Sequence, residues 1–453
     1  MHVAIVTSGG AGMFCGSCML DNAWARAMRA KGARVSLVPT YTPIRVDEED
    51  VSIDRVFLGG LNLYLDHRFR WWRRLPAWLR RLLDAPWLLR GMGSFAAGNE
   101  ADQLGALTVE MLRGPQGALE TDIDRLVHYL CDLLRPDAIC FSNALLAGVL
   151  PALRGRFSGP IFCLLQGDDL FVQELPEPYR TEARSRMKRL VSNFDGFLIH
   201  SRYYRDFMAE WLDQPPERFH RLPLGIDLSG HEGRPRRRGS RPFRIGYFAR
   251  VCRAKGVHLL VDAYLRLLRE GLAVELHVGG YVRKSDRRFL RELRRRTRKA
   301  GRELRWIGSP DRRADKVAFY TTLDVLSVPT EYREPKGLPV LEAWANGLPV
   351  VQPAHGAFPE LIESTGGGLL FAPADTTDLA RQLRRLAEDE ELRLQLAHKG
   401  YHGVRRHHDL ARVARTSLSL FRKAAGAIDA SLSGSRADGV SPAGCDAEKP
   451  RKD

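Results

Sequence analysis

Long apolar runs are missing from this chain. No stretch approaches the roughly 18 consecutive apolar residues that crossing a bilayer requires, so no membrane-spanning helix is expected. The opening Met1-His2-Val3-Ala4-Ile5-Val6-Thr7 has no basic n-region and no long apolar h-region, so no secretory leader is expected. Cysteine is sparse, with seven residues at 15, 18, 131, 140, 163, 252 and 445. An odd, scattered set does not build a disulfide framework and fits a reducing cytoplasm. Acids are outnumbered: 54 Asp and Glu against 70 Lys and Arg, a formal charge of +16. Such a surface attracts phosphates, anionic lipid or nucleic acid without distinguishing them. Nucleic acid is not expected, because no helix-turn-helix, zinc-finger or stacking-aromatic motif accompanies the charge.

What is present is an α/β pattern, twice. The 453 residues exceed one ordinary core and fit two domains of roughly 200 residues each. Residues 2–7 read as a buried strand, followed by Gly9, Gly10 and Gly12, a helical pattern over 20–31, and a strand over Arg34–Pro39. Further short apolar runs, Asp137–Phe141, Ile161–Leu165 and Gly196–His200, alternate with helical stretches, as in a parallel sheet wound on both faces. The pattern restarts with strands at Phe243–Phe248, Ala273–Val278, Leu304–Ile307, Val325–Val328 and Pro349–Val351. Between the halves, LSGHEGRPRRRGSRP is the natural linker. The expected organisation is a first domain over 1–227, a linker over 228–242 and a second domain over 243–410. A C-terminal helix over 411–425 is expected to pack toward the first domain, and 426–453, small and polar, to form a disordered tail.

The second half carries the chemistry. Arg250 ends a strand and Lys255 opens the next helix, a spacing at which two cations can converge on one diphosphate; two surface cations is the rival account. The run from Pro329 to Ala343 passes from strand through loop into helix. Gly337 lets backbone approach a ligand, Pro339 suits a first helical turn, and the free N–H groups there favour phosphate. Glu342 lies about one turn into an apolar helix, where a carboxylate needs hydrogen-bond partners such as ribose hydroxyls. A first-turn acid favoured by the helix dipole is the alternative.

Arg250 and Lys255, Glu334 and Glu342 with seven residues between, Gly347-Leu348-Pro349-Val350-Val351 and Gly356-Ala357-Phe358-Pro359-Glu360 occur in order. With the glycine turn at 9–16, Gln166-Gly167-Asp168-Asp169, Ser201-Arg202-Tyr203-Tyr204 and Leu222-Pro223-Leu224-Gly225-Ile226-Asp227, the chain resembles glycosyltransferase family four over roughly residues 2–424. Those are retaining glycosyltransferases of the GT-B fold: two Rossmann-like, doubly wound parallel-sheet domains facing a cleft. The resemblance implies that Arg250 and Lys255 clamp the donor diphosphate and that Glu334 binds donor-sugar hydroxyls. It implies that Gly337 and Leu338 offer backbone N–H groups, that Glu342 takes the ribose, and that the loop from Gly9 through Gly10 to Gly16 faces phosphates and acceptor. It also implies retention of configuration, a nucleotide-sugar donor, a sugar, lipid or polysaccharide acceptor, and no metal or other cofactor. Related GT-B enzymes, epimerases and inverting transferases, are the neighbouring reading. A basic membrane- or nucleic-acid-binding protein with a relict cleft is the reading from another class.

The chain departs from the family pattern at two positions. Many relatives carry His where Gln166 stands, near the donor sugar; Gln donates and accepts hydrogen bonds but carries no charge. Relatives often have Phe where Lys336 stands, and Lys336 either adds a cation near the sugar or points to solvent. Asp168 and Asp169 either orient an acceptor hydroxyl or cap the next helix. Cys15-Gly16-Ser17-Cys18 matches CxxC, but a thioredoxin-like domain would be much shorter, and two cysteines lack the further ligands zinc needs. Residues 68–90 interleave seven arginines and one Asp with Trp71, Trp72, Trp78 and Trp87. They suit either an anionic membrane surface, placing the protein peripherally at the inner face, or domain packing. Residues 283–305, with twelve cations and three acids, read as a solvated outer helix.

Overall fold

The computed structural model describes residues 1–9, 15–58, 101–117, 119–237, 242–310 and 312–437. Gly10 and the Trp-rich segment 68–90 lie outside the described residues.

In the first domain the described elements run β1 (His2–Ser8), α1 (Gly16–Arg29), β2 (Arg34–Thr40), α2 (Ala101–Arg113), α3 (Glu120–His128), β3 (Ala138–Phe141), α4 (Leu150–Arg154), β4 (Ile161–Leu164), α5 (Asp168–Gln173), α6 (Tyr179–Leu190), β5 (Gly196–Ile199), α7 (Arg202–Leu212) and β6 (Phe219–Arg221). The strands form one parallel sheet ordered β2-β1-β3-β4-β5-β6. β1 shows why it needs cover on both sides. Val3 and Ile5 enter one apolar cluster while Ala4 and Val6 enter the other, and all four are fully buried. On one face α1 inserts Leu20, Trp24 and Met28, spaced one helical turn apart.

The second domain repeats the plan with β7 (Phe243–Phe248), α8 (Val257–Arg269), β8 (Val274–Gly279), α9 (Arg287–Lys299), β9 (Arg305–Trp306), α10 (Arg313–Thr322), β10 (Val325–Leu326), α11 (Leu338–Ala345), β11 (Val350–Pro353), α12 (Phe358–Thr365), β12 (Gly368–Phe371), α13 (Thr376–Glu388) and α14 (Glu390–His407). Its parallel sheet is ordered β12-β11-β10-β7-β8-β9. The short strands β6 and β12 are absent from the sequence reading. Three or four residues such as Phe219–Arg221 carry too little periodicity to separate a strand from a loop. α9 is the basic outer helix, keeping Leu290, Leu293 and Thr297 buried.

The chain passes between the domains twice, and the passages pair. Ile226 N–H donates to the His408 carbonyl at 2.8 Å, and Leu410 N–H donates back to Ile226 at 3.1 Å. After the return, α15 (Leu410–Ala437) lies on the first domain. Trp24 Nε1 donates to Ser417 Oγ at 2.9 Å, and the Phe421 ring stands 5.4 Å from Phe162 and 6.1 Å from Trp24. The expectation of a disordered tail from residue 426 is corrected here: α15 continues through Gly426 to Ala437. Its neighbours Ala424, Ala425 and Ala427 are strong helix formers, enough to carry one glycine. Residues 438–453 lie outside the described residues. The described part of the stretch expected as linker, residues 228–237, runs along the second domain. His231 Nδ1 meets Asn346 Nδ2 at 2.9 Å, and Arg237 pairs with Glu390 and Glu391.

Removing the Phe421 ring empties a fully buried site between α1, β4 and α15. Phe421→Ala is expected to cost about 3–5 kcal/mol in urea unfolding. A loss below about 1 kcal/mol would show that α15 contributes little to the first domain's core.

Candidate active site

The site forms where the C-terminal ends of the two sheets face each other. On the second-domain side, the loop after β7 holds Arg250 and turns through Gly256 into α8. Gly256 has φ +73°, and a Cβ there would lie 1.6 Å from the Pro329 carbonyl oxygen. Glycine therefore lets this loop touch the one after β10. Glu331 N–H donates to the Ala254 carbonyl at 3.0 Å across that contact. The result is an ion pair: Lys255 Nζ lies 2.6 Å from Glu334 Oε2. Tyr332 O–H donates to the same oxygen at 3.0 Å, and the Lys255 ammonium sits 5.0 Å from the Tyr332 ring centroid. Burial works to raise the Glu334 pKa, but Lys255, joined by Lys336 and the Tyr332 hydroxyl, outweighs it and the carboxyl stays below its ordinary value. Tyr247 O–H donates to the Arg250 carbonyl at 2.9 Å, while Arg250 Nε is buried without a hydrogen-bond partner among the described residues.

Gly337, at φ +98°, is the N-cap of α11, and Leu338-Pro339 opens it. Leu338 Cδ1 lies 3.6 Å from where a Cβ on Gly16 would stand, and Gly16 opens α1. Two helix N-termini, one from each domain, thus converge, and both favour an anion. Glu342 lies one turn into α11. Its Oε1 accepts from Lys316 Nζ and its Oε2 from Tyr320 O–H, each at 2.7 Å. The residue expected to take ribose therefore already has two protein donors, and each oxygen retains a second lone pair. Lys316 also reaches Asp47 of the first domain at 2.7 Å. Burial lowers the Lys316 pKa, but Glu342 and Asp47 together raise it above its ordinary value.

On the first-domain side, Gln166 follows β4. Its Nε2 donates to Asp21 Oδ1 at 2.9 Å and to the Ser142 carbonyl at 3.3 Å, while its Oε1 accepts from Lys336 Nζ at 3.1 Å. Lys336 also donates to Ser17 Oγ at 2.9 Å. The two departures from the family pattern thus touch each other. The second domain's Lys336 crosses to the first and is buried, not pointed at solvent. Gln suits this position because it donates to an acid on one side and accepts from an ammonium on the other. Burial pushes the Asp21 carboxyl up to about 6 and lowers the Lys336 pKa.

Asp168 and Asp169 are turned inward. Asp168 Oδ1 accepts Ala144 N–H at 2.5 Å and Oδ2 accepts Gln166 N–H at 2.9 Å. Burial raises its pKa to about 6. Asp169 accepts from Tyr204 O–H at 2.6 Å. Their partners in this structure are groups of the first domain, the N–H groups of Ala144 and Gln166 and the Tyr204 hydroxyl of α7. The N-cap of α5 is Gly167, not either aspartate. Glu360, at the start of α12, accepts Arg202 N–H at 3.0 Å and Tyr203 N–H at 2.7 Å, so a second-domain carboxylate caps α7 of the first.

Asp21, Asp47 and Lys316 belong to this assembly and are absent from the sequence reading, and Ser17 enters that reading only within CxxC. Asp21 had a signal: an acid among Leu20, Ala23, Trp24 and Ala25 on an apolar helix must find a partner. Lys316 and Asp47 meet only through tertiary structure and leave none.

Residues 234–403 match the family model described as Glycosyl transferases group 1. The chain is 28% identical over 223 residues to a D-inositol 3-phosphate glycosyltransferase of Corynebacterium jeikeium, covering 46% of this chain and 53% of the relative. It is 28% identical over 200 residues to a glycogen synthase of Mycobacterium tuberculosis, covering 44% and 47%. The chain spans about half the length of the curated relatives it matches. Among solved structures, a sucrose-phosphate synthase from Thermosynechococcus elongatus superposes with a TM-score of 0.66 at 16% identity, covering 93% of this chain and 98% of that one. Anabaena Alr3699/HepE in complex with UDP and glucose superposes with a TM-score of 0.61 at 16% identity, covering 92% and 99%. The fold is GT-B. No helix among the described residues is long and apolar enough to cross a membrane.

Lys316 is the shared cation of two acids, and its side chain is 6% exposed, as is that of Asp47. Lys316→Ala should therefore cost about 3–5 kcal/mol, as removal of one member of a buried ion set does. Urea unfolding checks this; an effect under about 1 kcal/mol would mean that solvent, not Lys316, balances the acids.

Proposed function

We propose that this protein is a retaining glycosyltransferase that moves a sugar from a nucleotide-sugar donor to a hydroxyl acceptor without a metal. The Lys255–Glu334 pair beside Arg250 and the α11 N-terminus carries the reading. In transfer the bond from the anomeric carbon to the diphosphate breaks, and the electron pair leaves with the diphosphate. Arg250 retains an unsatisfied buried N–H. Lys255 has three ammonium hydrogens and gives one to Glu334. Those donors and the N–H groups of Gly337 and Leu338 suit a growing phosphate charge at a site where fixed cations replace a metal. Glu334, held ionised, suits sugar hydroxyls as an acceptor. The acceptor hydroxyl adds on the face the diphosphate leaves, and its proton passes to the departing phosphate oxygen. Glu342 takes the ribose through its remaining lone pairs. The relatives named as glycosyltransferases and the Anabaena protein solved with UDP-glucose support the same class.

A thermal-shift screen against UDP-, GDP- and ADP-sugars is expected to give one class that stabilises the protein. With that donor, Lys255→Ala should lower turnover by at least about tenfold, as loss of one transition-state charge contact does, while Glu342→Ala mainly weakens donor binding. NMR of the product should show the donor's anomeric configuration kept, and transfer should persist in EDTA. Normal transfer by both variants would reject the assignment, and an inverted product would reject the retaining mechanism.

A further inference from the structure

We propose that Cys15 and Cys18 form an oxidisable dithiol at the mouth of the donor site, whose disulfide unsettles the Lys336 bridge between the domains. The dithiol chemistry stands on its own; its effect on donor binding rests on the reading above.

Cys15 is the N-cap of α1, and Cys18 lies three residues on, on the same face of the first turn. Both are free thiols. Their environments differ. Cys18 is fully buried and its Sγ donates to the Ser8 carbonyl, at the end of β1, at 3.0 Å. Cys15 is partly buried beside the exposed Gly16. It sits at a positive helix end, next to the segment through which Ser17 holds Lys336. The Cys18 thiol, chiefly, and the Lys336 charge bring the Cys15 pKa down to about 5 against the opposing effect of burial, while Cys18 is pushed up. Cys140 on β3 and Cys163 on β4, both fully buried, are also pushed up. One acidic thiol at a helix start with an inert partner one turn away is the arrangement in which the first sulfur attacks and the second resolves.

Lys336 makes the pair matter to the cleft. Its two hydrogen-bond acceptors, Ser17 Oγ and Gln166 Oε1, are neutral. The groups that support its charge are Cys15, Glu334 and Asp21, in that order, with Lys255 opposing. Glu334 already serves Lys255, and Asp21 is reached only through Gln166. The Cys15 thiolate thus gives the Lys336 charge its largest support, and Ser17, which lies between the two cysteines, holds the ammonium directly. A buried ammonium that loses its anion is costly to keep.

Hydrogen peroxide is small enough for a partly buried thiol. The Cys15 thiolate attacks one peroxide oxygen, the O–O bond breaks, and hydroxide leaves and takes up a proton as water. The Cys18 sulfur then attacks Cys15, the S–O bond breaks, and the hydroxyl departs with the Cys18 proton as a second water. Two thiols are oxidised to one disulfide, and one peroxide is reduced to two waters. A dithiol reductant reverses the change by exchange.

The test uses the full chain. Peroxide, followed by mass mapping, should give a Cys15–Cys18 disulfide, and Cys18→Ser should stop at a dimedone-reactive sulfenic acid on Cys15. Iodoacetamide should label Cys15 before the other cysteines, with a pH midpoint near 5. Lys336→Met should raise that midpoint and slow labelling at pH 4, below the midpoint, by about tenfold, the effect of one pKa unit. Dithiothreitol should restore any donor-induced stabilisation that peroxide removes, and Cys15→Ala/Cys18→Ala, checked for folding by circular dichroism, should not respond to peroxide. Labelling of Cys15 no faster than Cys131, or no Cys15–Cys18 disulfide, overturns the dithiol. A disulfide that forms while a stabilising donor binds equally well overturns the link to the cleft. Stabilisation by no nucleotide sugar in either redox state would instead count against the glycosyltransferase reading and leave the thiol result standing.

Discussion

A carboxylate as buried as that of Glu334 has to be balanced, and Lys255 balances it. Most of the second domain's half of the site follows from that pairing. It needs the loops after β7 and β10 in contact, which needs Gly256 where a side chain would strike the Pro329 carbonyl. With the pair formed, Glu334 is fixed as an ionised acceptor and Lys255 as a donor with hydrogens to spare. The same loop then turns through Gly337 into α11 and aims that helix's N-terminus at the cleft. One electrostatic requirement thus orders a cation, an anion and a helix end along a short stretch of backbone.

Charged side chains also close the gap between the domains, some in ion pairs and some in hydrogen bonds to neutral groups. Lys336 reaches Ser17 and Gln166, Lys316 reaches Asp47, and Glu360 caps α7. Arg313 pairs with Glu48 and Asp227, both outside its own domain. Each contact is polar and directional, so the domains meet in one register. A wholly apolar interface would hold them as firmly but would fix their relative position less sharply.

Much of this was legible in the amino-acid order. Strands such as Phe243–Phe248 and Val3–Val6 are short and mostly apolar, and helix α8 repeats its buried side chains at helical spacing. The loop proposed for the donor was easy to single out because Glu334, Gly337 and Glu342 lie close together in sequence. The pairing of Gln166 with Lys336 was not, since 170 residues separate them and each departure reads alone as a local oddity. Asp168 shows the opposite case. Its place beside a conspicuous motif suggests substrate contact, whereas its oxygens meet the N–H groups of Ala144 and Gln166. Gly426 suggested a chain end because composition outweighed the alanines around it.

The paired passages between the domains set how the cleft can move. A single strand of backbone would let one domain swivel about its bonds in any direction. Here Ile226 is hydrogen-bonded to His408 and Leu410 on the returning chain, a single bridge between the two passages. Two hydrogen bonds across one residue resist sliding of one passage along the other more than bending across their plane. Any swivel of one domain on the other has to keep or break that bridge. The helix leaving it, α15, is packed into the first domain, so the returning passage is tied down just beyond the bridge.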